Sequence, residues 1–305
     1  MERPGLTPAA RATVQEAVLG WWAEGGGGRE LPWRATRDPW AVLVSEVMLQ
    51  QTQASRVASR WPAFLEAFPT PAACAAAGVA EVLRAWSGLG YNRRAVALHR
   101  AAVVTVAQHG GRLPADLPGL LALPGVGPYT ARAVLAFAGG VDVGVLDANV
   151  ARVLARCVAG APLSAAAAQR LADELVPRGR GWDWNQALVD LGATRCTTSS
   201  PSCAGCPVAG VCSWRNAPAH DGSDPARGSA GTSGRQSTFA GSDRQGRGRL
   251  VEALRAGPVP EAGLDEAMGW PGQRDRVARV AKGLVAEGLV ARVVPDGGDP
   301  WFTLA

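Results

Sequence analysis

Between residues 8 and 215 the apolar positions recur at the three-to-four-residue spacing of helices, and Gly and Pro interrupt them at short intervals. No convincing series of alternating strand-like segments occurs there, so the span predicts an all-helical domain over 1–215. Residues 216–245, "NAPAHDGSDPARGSAGTSGRQSTFAGSDRQ", are polar and rich in Gly, Ser and Asp, the composition of a flexible linker. Periodicity returns in a third region, 246–305, with helices expected at 247–256, 260–268 and across "RDRVARVAKGLVAEGLV". Two short strands around Asp-Gly-Gly in "ARVVPDGGDPWFTLA" then read as a hairpin. Three helices and a hairpin fit a winged-helix-like α+β module, or equally a helical cap with a hairpin tail. The fold class expected is mainly α with this small C-terminal addition.

Composition narrows the functions. Hydrophobic residues make up 47% of the 305, enough for one large domain plus a small one or for two medium domains. No stretch approaches the roughly 20 apolar residues of a membrane span, and the N-terminus lacks the apolar core of a secretion signal, so a cytoplasmic, reducing setting is expected. The formal charge of +5 suits a polyanionic partner without requiring one. Lys282 is the only lysine, so no side chain before it can form a Schiff base.

Four of the six cysteines fall in "CTTSSPSCAGCPVAGVC": Cys196, Cys203, Cys206 and Cys212, with Pro and Gly forcing turns between them. A reducing compartment favours metal thiolates over disulfides, and spacing alone leaves a zinc knuckle and a four-thiolate iron–sulfur cluster both open. Cys74 and Cys157, on expected helices, read as small core residues. In "LLALPGVGPYTARAVLAFAGG", a helix ends near Leu123 and another begins near Tyr129. Gly125 and Gly127 between them permit close approach of a phosphate to a helix N-terminus, or merely a tight connection.

"LPGVGPYTA" resembles the helix–hairpin–helix element of the endonuclease III superfamily of DNA glycosylases, in which many members carry a downstream cysteine loop spaced as Cys196, Cys203, Cys206 and Cys212 are. Within it, "LPWRATRDPWAVLVSEVMLQQTQ", "GLGYNRRA", "VLDANVARVLAR" and "NQALVDLGATRC" look like the segments of MutY-type adenine DNA glycosylases, in order through most of residues 13–215. The resemblance implies a largely structural [4Fe–4S] cluster on the four cysteines, and a monomer acting on double-stranded DNA that contains adenine mispaired with 8-oxoguanine or guanine.

Breaking a purine–deoxyribose bond needs an acid for the leaving base and an anion for the cationic sugar. By resemblance Glu46 is the acid, protonating N7 of adenine and later helping to activate water. Residue pattern alone makes it a carboxylate on a solvated helix face. Asp147 by itself is a helix N-cap, and by resemblance it is the anion, with Asn149 beside it. Tyr129 stands where strand-nicking relatives have a catalytic lysine, which implies a monofunctional enzyme that leaves an abasic site. By resemblance Arg34, after Trp33, would contact the flipped adenine, while Gln51 and Tyr91 would probe or wedge into the stack at the opposite base; Arg93 and Arg94 suit phosphate contact or form a solvated basic pair. The family commonly ends in a nucleotide-hydrolase-like domain with a Phe-Ser-His loop; no Phe-Ser-His occurs in this sequence, and the short module expected over 246–305 departs from that pattern. The alternatives are the same fold excising hypoxanthine or a mismatched pyrimidine, and a non-catalytic DNA-binding protein.

Overall fold

The computed structural model describes residues 7–217, 223–229 and 238–305. Its helices are α1 Pro8–Ala23, α2 Pro39–Leu49, α3 Ala54–Ala67, α4 Pro71–Ala76, α5 Val79–Ala85, α6 Arg93–His109 and α7 Leu117–Leu121. They continue as α8 Pro128–Phe137, α9 Ala148–Val153, α10 Ala165–Glu174, α11 Gly181–Thr194, α12 Asp243–Ala256, α13 Leu264–Met268 and α14 Arg274–Ala286. The strands are β1 Val259–Pro260, β2 Val290–Val293 and β3 Trp301–Leu304. Among the described residues no helix is long and apolar enough to cross a membrane.

The chain forms two compact units, each made of two separate segments. One comprises Met1–Pro39 with Pro128–Arg235, the other Trp40–Gly127 with Gln236–Ala305. In the first, α1, α9 and α11 enclose a core of Val14, Val18, Val150, Leu154, Trp184 and Leu191. Local signals set these helices: Thr7 caps α1, and Ser164 caps α10 by accepting from Ala167 N–H. Gly192 lets α9 approach α11, because a Cβ there would stand 2.6 Å from that of Asn149. A π-helical turn, Leu154–Ala159, follows α9 and carries Arg156 and Cys157 toward the cysteine loop.

In the second unit α4 packs on α6 and the C-terminal module docks alongside. Arg255 of α12 donates to Leu83 O at 3.0 Å and to Asn92 Oδ1 at 3.1 Å, while Arg100 of α6 reaches Glu287 O at 3.1 Å. The module has the three expected helices and a sheet of three antiparallel strands in the order β1-β3-β2. Val259 pairs with Phe302, and Val290 with Leu304. The helix expected over 260–268 is shorter, since β1 and a 3₁₀ turn at Glu261–Gly263 take its first residues.

Of the expected linker, residues 218–222 and 230–237 lie outside the described residues. The described stretch between them is a 3₁₀ turn, Pro225–Gly228, capped by Asp224. The Asp224 carboxylate also pairs with the buried Arg156 at 2.6 Å, and a charge pair of this kind holds what composition alone assigns to a loose segment.

Candidate active site and cysteine loop

Glu46 lies on α2, whose residues Trp40 to Met48 are all buried, and is itself 3% exposed. Its helix face is therefore part of a core, contrary to the solvated face that residue pattern favours. The cause lies in the neighbouring side chains: a helix apolar all round is drawn in whole, with one carboxylate carried along. Arg94 closes the C-terminal end of α2. Its Nη1 donates to the carbonyls of Val47, Met48 and Gln50 at 2.9, 2.7 and 2.5 Å, and its Nη2 to Thr52 Oγ1, Leu89 O and Gly90 O at 2.9 to 3.1 Å. Burial pushes this guanidinium down to about 10, which leaves it charged at neutral pH. The phosphate contact expected of Arg94 is thus replaced by a clamp on backbone carbonyls; Arg93 beside it is exposed and faces Glu287 at 3.7 Å.

The two loops that Arg94 ties together carry Gln51 and Tyr91. They are the two non-glycine residues with positive φ among those described, at 56° and 46°. Such backbone conformations cost on the order of 1–3 kcal/mol each and persist only when neighbours fix them, as the six acceptors around Arg94 do.

The turn between α7 and α8 has the expected form. Asp116 caps α7 by accepting from Gly119 N–H at 2.8 Å, and Pro128 opens α8 at the position where a missing N–H costs nothing. Gly125 is required twice over: its φ is 76°, and a Cβ would stand 2.6 Å from that of Ala97. Gly127 differs, with nothing within 4 Å of an added Cβ and no positive φ, so its lack of a side chain leaves open ground instead. Tyr129 is half-buried in the first turn of α8.

Asp147 caps α9 and accepts from Val150 N–H at 2.7 Å and from the Asn149 amide at 2.7 Å. Burial raises its carboxyl above the ordinary range, and those two donors pull it back. Asn149 Oδ1 accepts from Arg152 Nη2 at 2.9 Å, and Arg152 Nε donates to Cys196 O at 2.6 Å. A continuous chain of hydrogen bonds therefore runs from the Asp147 carboxylate to the first cysteine of the loop. On the same unit Trp33 is buried in the 3₁₀ turn Pro32–Ala35. Arg34 forks onto Asp190, with contacts of 2.7 and 2.9 Å, and Arg29 joins the same carboxylate at 3.1 Å. Asp190, 1% exposed, escapes sequence reading, and the signal for it is a single carboxylate in the otherwise apolar "ALVDLGA".

Cys196, Cys203, Cys206 and Cys212 line one recess, walled also by Arg156 and Val208. Cys74 and Cys157 are buried as core residues, and Cys157 also borders the recess. Arg156, 1% exposed, donates to Cys196 Sγ at 3.4 Å and to the carbonyls of Thr197 and Thr198, with Trp214 stacked 5.1 Å away. Among the described residues no three His, Cys, Asp or Glu side chains are drawn together around a single-ion position. The donor set still fits a group held by thiolates: four cysteines line one recess, and Arg156 supplies positive charge at its wall.

Comparison with known proteins agrees with this frame. Residues 44–178 match the model of the HhH-GPD superfamily base excision DNA repair proteins. An adenine DNA glycosylase of Mycobacterium tuberculosis is 44% identical over 92% of this chain and 90% of its own length. The Mycolicibacterium smegmatis adenine DNA glycosylase is 44% identical over 92% of this chain and 93% of its own. A solved thermostable thymine-DNA glycosylase superposes with a TM-score of 0.63 at 30% identity, covering 68% of this chain and 97% of that one.

Proposed function

Because the chain belongs to the adenine DNA glycosylase family of the HhH-GPD superfamily, we propose that it hydrolyses the N-glycosidic bond of adenine mispaired with 8-oxoguanine or guanine in double-stranded DNA. Glu46, enclosed in the apolar α2, delivers the proton to the leaving adenine at N7. Asp147, oriented by Val150 N–H and Asn149, supplies the negative charge that meets the oxocarbenium-like sugar. Water, activated by Glu46 after the base has left, completes the hydrolysis. Trp33 and Arg34 border the flipped base, Arg34 held in place by Asp190. Gly125 and Gly127 bring the hairpin backbone close to a DNA phosphate.

The reaction stops at the abasic site. Tyr129 stands at the hairpin position where a Schiff-base lysine would act, and no lysine precedes Lys282. Cys196, Cys203, Cys206 and Cys212 would hold a [4Fe–4S] cluster, whose four thiolate bonds would cross-link the loop. Purified protein should then contain iron and labile sulfide in near-equal amounts. Stoichiometric zinc in their place would refute the assignment. The enzyme acts as a cytoplasmic monomer on the nucleoid.

The observation that carries this reading is the presence of both a buried Glu46 and a half-buried Asp147 that caps α9 in a chain 44% identical to adenine DNA glycosylases. The likeness to a thymine-DNA glycosylase keeps a mismatched pyrimidine as the competing substrate. Single-turnover base release from duplexes with adenine opposite 8-oxoguanine, G or T, and with thymine opposite G, separates the two. Omitting alkali reports strand cleavage, which the lysine-free hairpin should not give.

A further inference from the structure

A groove of about 680 Å³ opens on the second unit, where the C-terminal module meets the loops of Gln51 and Tyr91. Large exposed aromatic side chains are rare on soluble surfaces, and the two among the described residues, Tyr91 at 37% and Phe239 at 53%, both line it. Arg244 joins them: its guanidinium lies 5.2 Å from the Phe239 ring centroid, and Nη1 reaches Tyr91 Oη at 3.4 Å. Arg56, Arg93 and Arg247 add three more cations, against one carboxylate, Glu287. Glu287 pairs with Arg247 at 2.5 Å and with Arg93 at 3.7 Å, so the wall stays net positive. Both residues with strained backbone, Gln51 and Tyr91, face the same space. Aromatic faces interleaved with arginines suit a nucleic-acid strand, bases on the rings and phosphates on the guanidinium groups.

We propose that this groove is a binding site for the DNA strand opposite the excised base, with Phe239 as a stacking platform and Arg244 as a phosphate contact. This rests on the adenine-glycosylase reading, in which Gln51 and Tyr91 probe the opposite base. The C-terminal module thereby acquires a role: α12 carries Arg244 and Arg247 into the groove, and the docking of Arg255 on Leu83 of α5 and on Asn92, which precedes α6, holds that helix in position.

The test uses full-length protein and a duplex with non-hydrolysable 2′-fluoroadenosine opposite 8-oxoguanine, with binding followed by anisotropy across a KCl series. Phe239→Ala should weaken binding about tenfold, the loss of one base stack, with an unchanged salt slope. Arg244→Ala should weaken binding and make the log–log salt slope shallower by about 0.9, and Arg244→Lys should restore the slope. Neutral methylphosphonates flanking the opposite base should weaken the wild type and not Arg244→Ala; on the adenine strand they should weaken both alike. Wild-type affinity and slope in both alanine variants, or coupling of Arg244 to the adenine strand, overturns the proposal. Wild-type adenine release, measured separately, decides the underlying reading: release with unaffected variants sinks the groove alone, and no release from any mismatch sinks the glycosylase assignment.

Discussion

Replacing Arg94 should destabilise the second unit by about 3 kcal/mol, although nothing about this residue is catalytic. Its two terminal nitrogens face six acceptors but carry four N–H groups, so at most four full hydrogen bonds form. Charge-assisted bonds contribute about 1.5–3 kcal/mol each, and the half-buried setting selects the low end, roughly 6 kcal/mol in all. Water can reach some of the freed carbonyls in Arg94→Met, which offsets about half and leaves about 3 kcal/mol. Arg94→Lys keeps the charge but loses the planar fork, and should recover no more than about 1 kcal/mol. Urea unfolding followed by circular dichroism measures both variants against wild type. A lysine variant within about 0.5 kcal/mol of wild type would mean that charge alone matters, and the clamp geometry inferred from these distances would be wrong.

Other expectations follow from the same geometry. Glu46→Gln keeps the shape and loses the proton, so single-turnover adenine release should fall by roughly 10²- to 10⁴-fold while binding to 2′-fluoroadenosine duplex is retained; full turnover would remove Glu46 from the mechanism. In the proposed mechanism Asp147 acts as a carboxylate; its carboxyl lies above the ordinary range, so the acid limb of the rate profile should sit correspondingly high. Asn149→Ala removes a donor to the charged form and should move that limb to still higher pH; an unmoved limb would separate Asn149 from Asp147. Asp224→Ala strands the buried Arg156 and should cost about 3–5 kcal/mol, with faster loss of iron on dilution into chelator. Asp224 is held below the ordinary carboxylate value, so its contribution is complete at neutral pH and fades only as pH falls below about 3.8. A difference between wild type and Asp224→Ala that already shrinks between pH 7 and 5 would contradict that pairing.

What the sequence reveals depends on whether side chains or backbone make the contact. The cysteine loop is legible because four thiols at this spacing have few other uses, and the turn at Gly125 because φ of 76° demands glycine. The helices and hairpin of the C-terminal module follow from periodicity, whereas β1 does not: two residues, one of them proline, have no pattern to show. Arg94 reads as a phosphate contact beside Arg93 because its partners are mostly carbonyls, which leave no trace in residue identity. Asp224 sits in a stretch whose Gly and Ser content signals mobility, and one carboxylate meeting one buried guanidinium outweighs that composition locally. The division into two units, each of two segments, is likewise invisible to a reading that moves along the chain.

The measurement that bears most directly on the central claim is single-turnover base release from matched duplexes with adenine opposite 8-oxoguanine and adenine opposite T, with and without alkali. Adenine should leave rapidly from the first and not the second, with the strand cut only after alkali. Equal release from both, release of thymine opposite G in preference, or strand scission without alkali would contradict it.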